Sequence, residues 1–376
     1  MMTKGAAFME FLDLLNTAVY MQASDIIVKP DLLPVARVHG ELRLMEGSRI
    51  FVGRELEESV KKLLNLDDDE DSAGRVPDPM VNERVQRWME QKSLDFSFFL
   101  RDVGRFRLHV FMERGKWCVV ARTIPSEIRS LGELGLPERL FDLVQMPRGL
   151  FLVTGPTGSG KSTTLNTLVN YLNENFAKHI VTIEDPIEFH HKNLRSVISQ
   201  REVGSDTLSF RQALKDSLRE NPDVILVGEM RDPETIGAAI TAAETGHLVL
   251  GTLHTKGGPE TVSRILDAFP AEQQAQVTVQ LASNLVGVVS QQLVPRCDQP
   301  GRIAAYELLT NSPAVSNIIL ARKSAGQMRA DLSAAREVFT PMDMSLAGLV
   351  KQGKISMAAA EARAYDVAEV RRFCAL

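Results

Sequence analysis

Gly155-Pro156-Thr157-Gly158-Ser159-Gly160-Lys161-Ser162 decides the reading of this chain. The stretch satisfies G-x-x-x-x-G-K-[ST] in full, the apolar run Leu150 to Thr154 precedes it, and a helix-compatible segment begins at Ser162. The glycines let the backbone curl until several N–H groups converge on phosphate oxygens. The N-terminus of the following helix favours the same negative charge. Gly155, Pro156, Thr157, Gly158, Ser159, Gly160, Lys161, Ser162 and Thr163 are therefore expected to hold ATP. Lys161 would reach the β- and γ-phosphates and Ser162 would ligate Mg²⁺. A chance turn in a non-binding α/β domain is the competing reading. Strand, loop and helix in the right order argue against it.

Downstream, two apolar strands end in acid. Asp223-Val224-Ile225-Leu226-Val227-Gly228-Glu229 carries Gly228 where a metal-binding aspartate usually ends such a strand, with Glu229 next. Glu229 is the candidate for polarising the attacking water, because the strand delivers it to the carboxyl edge of the sheet, where ligands bind. A glutamate on a surface loop is the bland alternative. Ile180-Val181-Thr182-Ile183-Glu184-Asp185-Pro186 ends likewise. Glu184 or Asp185 would join the water shell of Mg²⁺ or serve as an N-cap. His247 and His254 flank a further strand, Leu248 to Gly251. A histidine is commonly a hydrogen-bonded structural residue. Of the two, His254 is placed at the carboxyl end, where it would sense the γ-phosphate.

These strands alternate with helical segments, which indicates a parallel sheet covered on both faces. From about Ala271 onward the chain reads mainly helical. Upstream the pattern differs. Phe8, Leu12, Leu15 and Val19 recur at helical spacing. Alternation on both sides of His39-Gly40 signals a hairpin. Helices are expected over Arg54 to Leu66 and Val81 to Gln91, and strands over Leu94 to Leu100, Arg105 to Phe111 and Trp117 to Arg122. That is an α+β domain with an antiparallel sheet. The run Asp67 to Asp71 reads as a solvated loop, and Ile124 to Leu136, broken by Pro125 and two glycines, as the interdomain linker.

The chain has 376 residues, 44% hydrophobic and 24% charged, with a net charge of −5. The length fits two or three domains, and an acidic balance gives no support to nucleic acid as a partner. Three widely spaced cysteines, Cys118, Cys297 and Cys374, form no CxxC pair, so neither a structural zinc nor a disulfide framework is expected. No apolar run approaches the roughly 18 residues that a membrane span requires.

The motifs together resemble a known family. Gly155 to Ser162, Ile183-Glu184-Asp185-Pro186-Ile187-Glu188, Val227-Gly228-Glu229-Met230-Arg231-Asp232 and Thr245-Gly246-His247 through Thr255 look like the Walker A, Asp box, atypical Walker B and His box motifs of the secretion ATPase superfamily. The likeness is nearest to the type IV pilus retraction (twitching motility) ATPases, PilT-like. Asp95-Phe96-Ser97-Phe98, Gly104-Arg105-Phe106-Arg107 and Arg122-Thr123-Ile124-Pro125 resemble that family's N-terminal domain, and Gln200-Arg201-Glu202-Val203-Gly204 resembles part of its C-terminal one.

The resemblance implies an α/β fold: a PAS-like α+β domain over 1–123, a linker over 124–136, a RecA-like P-loop core over 137–270 and a mainly helical C-terminal region over 271–376. It also implies a homohexameric motor using ATP and Mg²⁺ to retract a type IV pilus, cytoplasmic and held at the inner membrane through a platform protein. By motif match, Arg105, Arg107 and Arg122 would reach the phosphates, joining Glu229, Glu184 and His254 in catalysis. Alternating arginines on a strand fit an exposed sheet face equally well. The absence of a tetracysteine motif and of a long N-terminal extension points to the retraction branch rather than to the assembly ATPases. The family's late motif, roughly Ala-Ile-Arg-Asn-Leu-Ile-Arg-Glu, appears only as Ala314-Val315-Ser316-Asn317-Ile318-Ile319-Leu320-Ala321. That leaves room for an accessory or diverged paralogue working with a second retraction ATPase, or for a regulatory ring subunit with little turnover. A nucleic-acid translocase on the same core is the other rival.

Overall fold

The computed structural model describes residues 4–38, 40–64, 85–86, 88–101, 103–124, 128–204 and 206–375. The chain forms two compact units, Met1–Glu127 and Ile128–Leu376. Their boundary falls inside the expected linker. That linker is shorter than expected, because Leu131 and Leu136 are buried in the core of the second unit. The acidic run 67–71, His39 and Pro125 lie outside the described residues, as does most of the expected helix 81–91 before Trp88.

In the first unit a helix, Lys4–Tyr20, leads into β1 (Ala23–Val28), β2 (Val35–Val38) and β3 (Glu41–Leu44). After the helix Gly53–Leu63 come β4 (Ser93–Leu100), β5 (Gly104–Glu113) and β6 (Lys116–Ile124). The sheet order is β3-β2-β1-β6-β5-β4, antiparallel throughout. Its β5–β6 hairpin turns on Arg114 and Gly115, with φ of 51° and 76°. Two left-handed residues in succession match the twist of paired strands. Phe106, Leu108 and Val110 point into a core shared with Phe11, Leu14, Leu15 and Ala18 of the first helix. The buried face of that helix is thus turned slightly from the expected stripe: Leu15 is central, Leu12 and Val19 pack at its margin, and the side chain of Phe8 lies outside the described part.

The second unit holds β7 (Gly149–Thr154), β8 (His179–Glu184), β9 (Val197–Glu202), β10 (Val224–Val227), β11 (Leu248–Leu253), β12 (Leu285–Pro295), β13 (Arg302–Thr310) and β14 (Phe339–Thr340). They form one sheet in the order β14-β13-β12-β7-β11-β10-β8-β9. From β12 to β9 every neighbour is parallel, whereas β13 and β14 join antiparallel. Alternate residues serve two cores. Leu150, Leu152 and Val249 pack under the helices Phe210–Ser217 and Pro233–Glu244. Phe151, Val153 and Leu250 pack against Lys161–Asn175. Burial on both faces is why these strands read as continuous apolar runs.

The region after residue 270 corrects the sequence reading in one respect. Helices predominate there, but β12 and β13 extend the ATPase sheet, so the core does not end at 270. Leu285-Val286-Gly287-Val288-Val289 follows directly on the helix Ala271–Asn284. Periodicity alone does not separate such a short apolar run from more buried helix.

Candidate active site

The parallel register fixes the site. Thr154 pairs with Leu253, Gly251 with Val227, and Val227 with Ile183. Gly155, His254, Glu229 and Glu184 therefore leave their strands at one carboxyl edge. His247 sits at the far end of β11, where its Nδ1 donates to the Ala242 carbonyl at 2.9 Å, so it is structural.

The glycine loop has the shape that its sequence requires. Gly155, Gly158 and Gly160 have φ of 141°, 76° and 90°, values that side chains other than glycine rarely adopt. Gly160 caps the helix Lys161–Asn175. Lys161 Nζ donates to the carbonyls of Gly155 and Pro156 at 2.9 and 3.3 Å, so the ammonium curls back over the loop. Burial pulls its pKa down, against the nearby charges of Glu229 and Glu188. Thr157, Gly158 and Thr163 are exposed, Ser162 is half-buried, and Ser159 is buried. The Ser159 hydroxyl has no hydrogen-bond partner. An orphaned hydroxyl, an inward-curled lysine and left-handed glycines at a helix N-terminus fit a polyphosphate. Lys161 and the loop N–H groups would hold it and Ser162 would offer its oxygen to Mg²⁺.

A support missed in the sequence lies behind the loop. Gln291, buried on β12, donates from Nε2 to the Ser159 carbonyl at 2.8 Å and accepts from Thr164 Oγ1 at 2.9 Å. A Cβ at Gly160 would lie 3.1 Å from that Nε2. Because β12 was not legible, neither was this contact.

Glu229 is held on both oxygens. His254 Nε2 donates to Oε1 at 2.6 Å, and Arg231 Nη2 donates to Oε2 at 2.7 Å. Burial pushes its carboxyl up, but the hydrogen bonds and charges of Arg231 and His254 outweigh it and hold Glu229 below the ordinary range. Glu184 is the opposite case. Burial pushes it up to about 7, against hydrogen bonds from Thr182 Oγ1 at 2.7 Å and Gln200 Nε2 at 3.3 Å. Sequence alone assigns Thr182 and Gln200 no role. Their strands give it: Thr182 lies two residues before Glu184, and β9 runs beside β8 with Gln200 opposite Thr182.

The three arginines belong to the first unit, on one face of its sheet. The cross-strand row Ser97, Arg107, Arg122, Asp25 and Arg37 sets Arg107 directly opposite Arg122. Like charges facing each other are unfavourable. Asp25, 2.9 Å from Arg122 Nε, and Asp95, 3.8 Å from Arg107, offset them. The side chains of Arg107 and Arg122 are 36% and 64% exposed. Arg105 is buried and donates to Ser97 Oγ at 3.0 Å.

Fold and site together define a P-loop ATPase: a parallel sheet whose carboxyl edge carries the phosphate loop and two acidic residues in opposite electrostatic settings. The chain belongs to the type II/IV secretion system protein family, which matches residues 74–360. It is 46% identical over 335 residues to the twitching motility protein of Neisseria gonorrhoeae, covering 89% of this chain and 84% of that protein. It is 42% identical over 348 residues to the type IV pilus retraction ATPase PilT of Pseudomonas aeruginosa, covering 93% of this chain and 96% of that one. Among solved structures, that of the pilus retraction motor PilT with bound ADP superposes with a TM-score of 0.84 at 40% identity, covering 96% of this chain and 98% of that chain. The resemblance read from the motifs is thus borne out, as is the assignment as a PilT-like, nucleotide-binding ATPase. Among the described residues, no helix is long and apolar enough to cross a membrane.

Proposed function

We propose that this protein is the motor of type IV pilus retraction: a cytoplasmic, Mg²⁺-dependent homohexamer that hydrolyses ATP to drive pilus disassembly through an inner-membrane platform protein. The observation that carries this reading is the end-to-end likeness to retraction ATPases, which extends through both units and not the phosphate loop alone. In this reading Lys161 binds phosphate and Ser162 binds Mg²⁺. Glu229, steadied by His254, orients water, and Glu184 takes up or releases the proton. Arg107 and Arg122 present exposed cations for the phosphoryl charge. Stabilisation of this kind by an arginine is worth about 10³ to 10⁵ in rate. Arg105 would join them only by leaving Ser97, and until then it braces the strand.

One observation favours a second reading, an accessory motor working beside another retraction ATPase. Where the family's late motif has an arginine, Ser316 turns inward and donates to the Ala282 carbonyl at 2.7 Å. A strain lacking the protein separates the two. Hyperpiliation without twitching, rescued by the wild type and not by Lys161→Ala, is expected of the main motor. Normal pilus number, with a defect appearing only when a second retraction ATPase is also removed, is expected of an accessory one. Loss of pili altogether overturns both.

A further inference from the structure

The second unit contains a partly buried ionic cluster that the hydrolytic residues do not use. Glu307, on β13, is fully buried. Burial pushes its carboxyl up, against the hydrogen bonds and charge of Arg329. Arg329, from the helix Ala325–Leu332, donates from Nη1 to Glu307 Oε2 at 2.5 Å and from Nη2 to both oxygens of Glu260 at 3.0 and 2.7 Å. Its guanidinium lies 4.5 Å from the centre of the Tyr365 ring. Removing such ions from water is costly, and a buried ion pair is weak evidence of added stability. The location of the cluster suggests another use.

What it encloses is the backbone directly after His254. Gly258 N–H donates to Glu307 Oε1 at 2.9 Å, and Tyr365 Oη donates to the Lys256 carbonyl at 2.7 Å. Between them, a Cβ on Gly257 would lie 2.6 Å from Arg329 Nη2 and 2.7 Å from Glu307 Oε1. Tyr365 is itself anchored, its N–H donating to the buried Asp343 at 2.8 Å. Lys256 is two residues beyond His254, whose Nε2 holds Glu229.

We propose that Arg329 and Tyr365 are positioning residues for ATP hydrolysis, clamping the backbone at 256–258 so that His254 keeps its hydrogen bond to Glu229. This rests on the assignment of hydrolysis to the Glu229 site. The C-terminal segment thereby acts on the chemistry without touching the nucleotide.

The test uses full-length Tyr365→Phe, Arg329→Lys and the double variant. Phe keeps the ring against the guanidinium and removes only the donor to Lys256. Lys keeps the charge and loses the fork that spans two carboxylates. Turnover across ATP concentrations is expected to show kcat down about tenfold in each single variant, since small misplacements far from the chemistry are costly in rate. The KM for ATP should stay within about twofold, because a group acting only in the transition state lowers kcat. The double variant should lose little more than either single one, as residues acting through one element are not additive. Wild-type kcat in both single variants overturns the clamp. So do additive losses of kcat that track a falling melting temperature, the signature of a merely structural cluster. Turnover left unchanged by Glu229→Gln would instead overturn the hydrolysis assignment, and the clamp with it.

Discussion

Two glutamates leave neighbouring strands at one edge of the sheet and are driven apart electrostatically, which in the proposed mechanism would divide the labour between them. Glu229 stays anionic because Arg231 and His254 outweigh its burial, and an anion able to accept from water is what orientation requires. Replacing it with Gln is expected to cut kcat by about 10² to 10⁴ while ATP still binds, as a fluorescent ATP analogue would report. Unchanged turnover would remove Glu229 from the mechanism. Glu184, raised to about 7 by burial, changes protonation near neutrality. If it takes the proton, kcat/KM should rise with pH through about 7, since that parameter follows titrations of the free enzyme. A profile flat across neutrality would exclude the role. The same shift carries a stability consequence of defined sign. Unfolded, the carboxyl loses its proton near 4.5, and folded near 7. Stability therefore falls as pH rises between those values and stays lower above them. Glu184→Gln should stabilise the protein at alkaline pH, by at most roughly 3 kcal/mol, measurable by denaturant unfolding.

At the scale of elements, β12 braces the phosphate loop through Gln291, yet it is hard to read in the sequence. Gln291→Leu keeps the bulk but strands the Ser159 carbonyl and the Thr164 hydroxyl, both of which Gln291 now satisfies. The expected cost is about 1–3 kcal/mol for unsatisfied buried groups, with weaker ATP binding because the loop loses its brace. Wild-type affinity in a folded Gln291→Leu protein would show that the brace is idle. Legibility followed the clarity of punctuation. The strand Val224–Val227 was read end to end because Asp223 and Gly228 bracket it. β12 follows a helix without a break, and β9 has only Val197-Ile198 before polar Ser199, Gln200, Arg201 and Glu202, too short an apolar run to mark a strand. The facing of Arg107 and Arg122 could have been counted. A two-residue turn at Arg114-Gly115 sets Glu113 opposite Lys116, and every pair beyond follows. The hold of Arg231 on Glu229 and the partners of Arg329 could not, because each depends on where a loop or a distant helix comes to rest. The site's acids were legible as strand ends, but their opposite pKa shifts were not, because burial is a property of the packed unit.

At the scale of the whole molecule, the chain is two units with separate cores. The first carries a row of arginines on one sheet face, and the second carries the phosphate loop and the acids. The proposed homohexamer would join six such chains, so that hydrolysis in one subunit could be followed by hydrolysis in the next. Closed rings of identical chains provide this through head-to-tail contacts. If subunits fire in sequence, one that cannot bind ATP stalls its neighbours. If they fire independently, it removes only its own share. Diluting wild-type protein with Lys161→Ala at constant total concentration, after allowing rings to exchange subunits, distinguishes these. Sequential firing is expected to drop ATPase activity well below the straight line of simple dilution, with equal parts leaving much less than half the rate. Lys161→Ala suits the experiment because Lys161 is the half-buried first residue of the helix after the loop and belongs to neither core under the faces of the sheet. A rate that follows the dilution line, in samples shown by light scattering to be hexamers, would mean that each subunit hydrolyses ATP alone. Any coupling would then have to come from the platform on which the ring pulls.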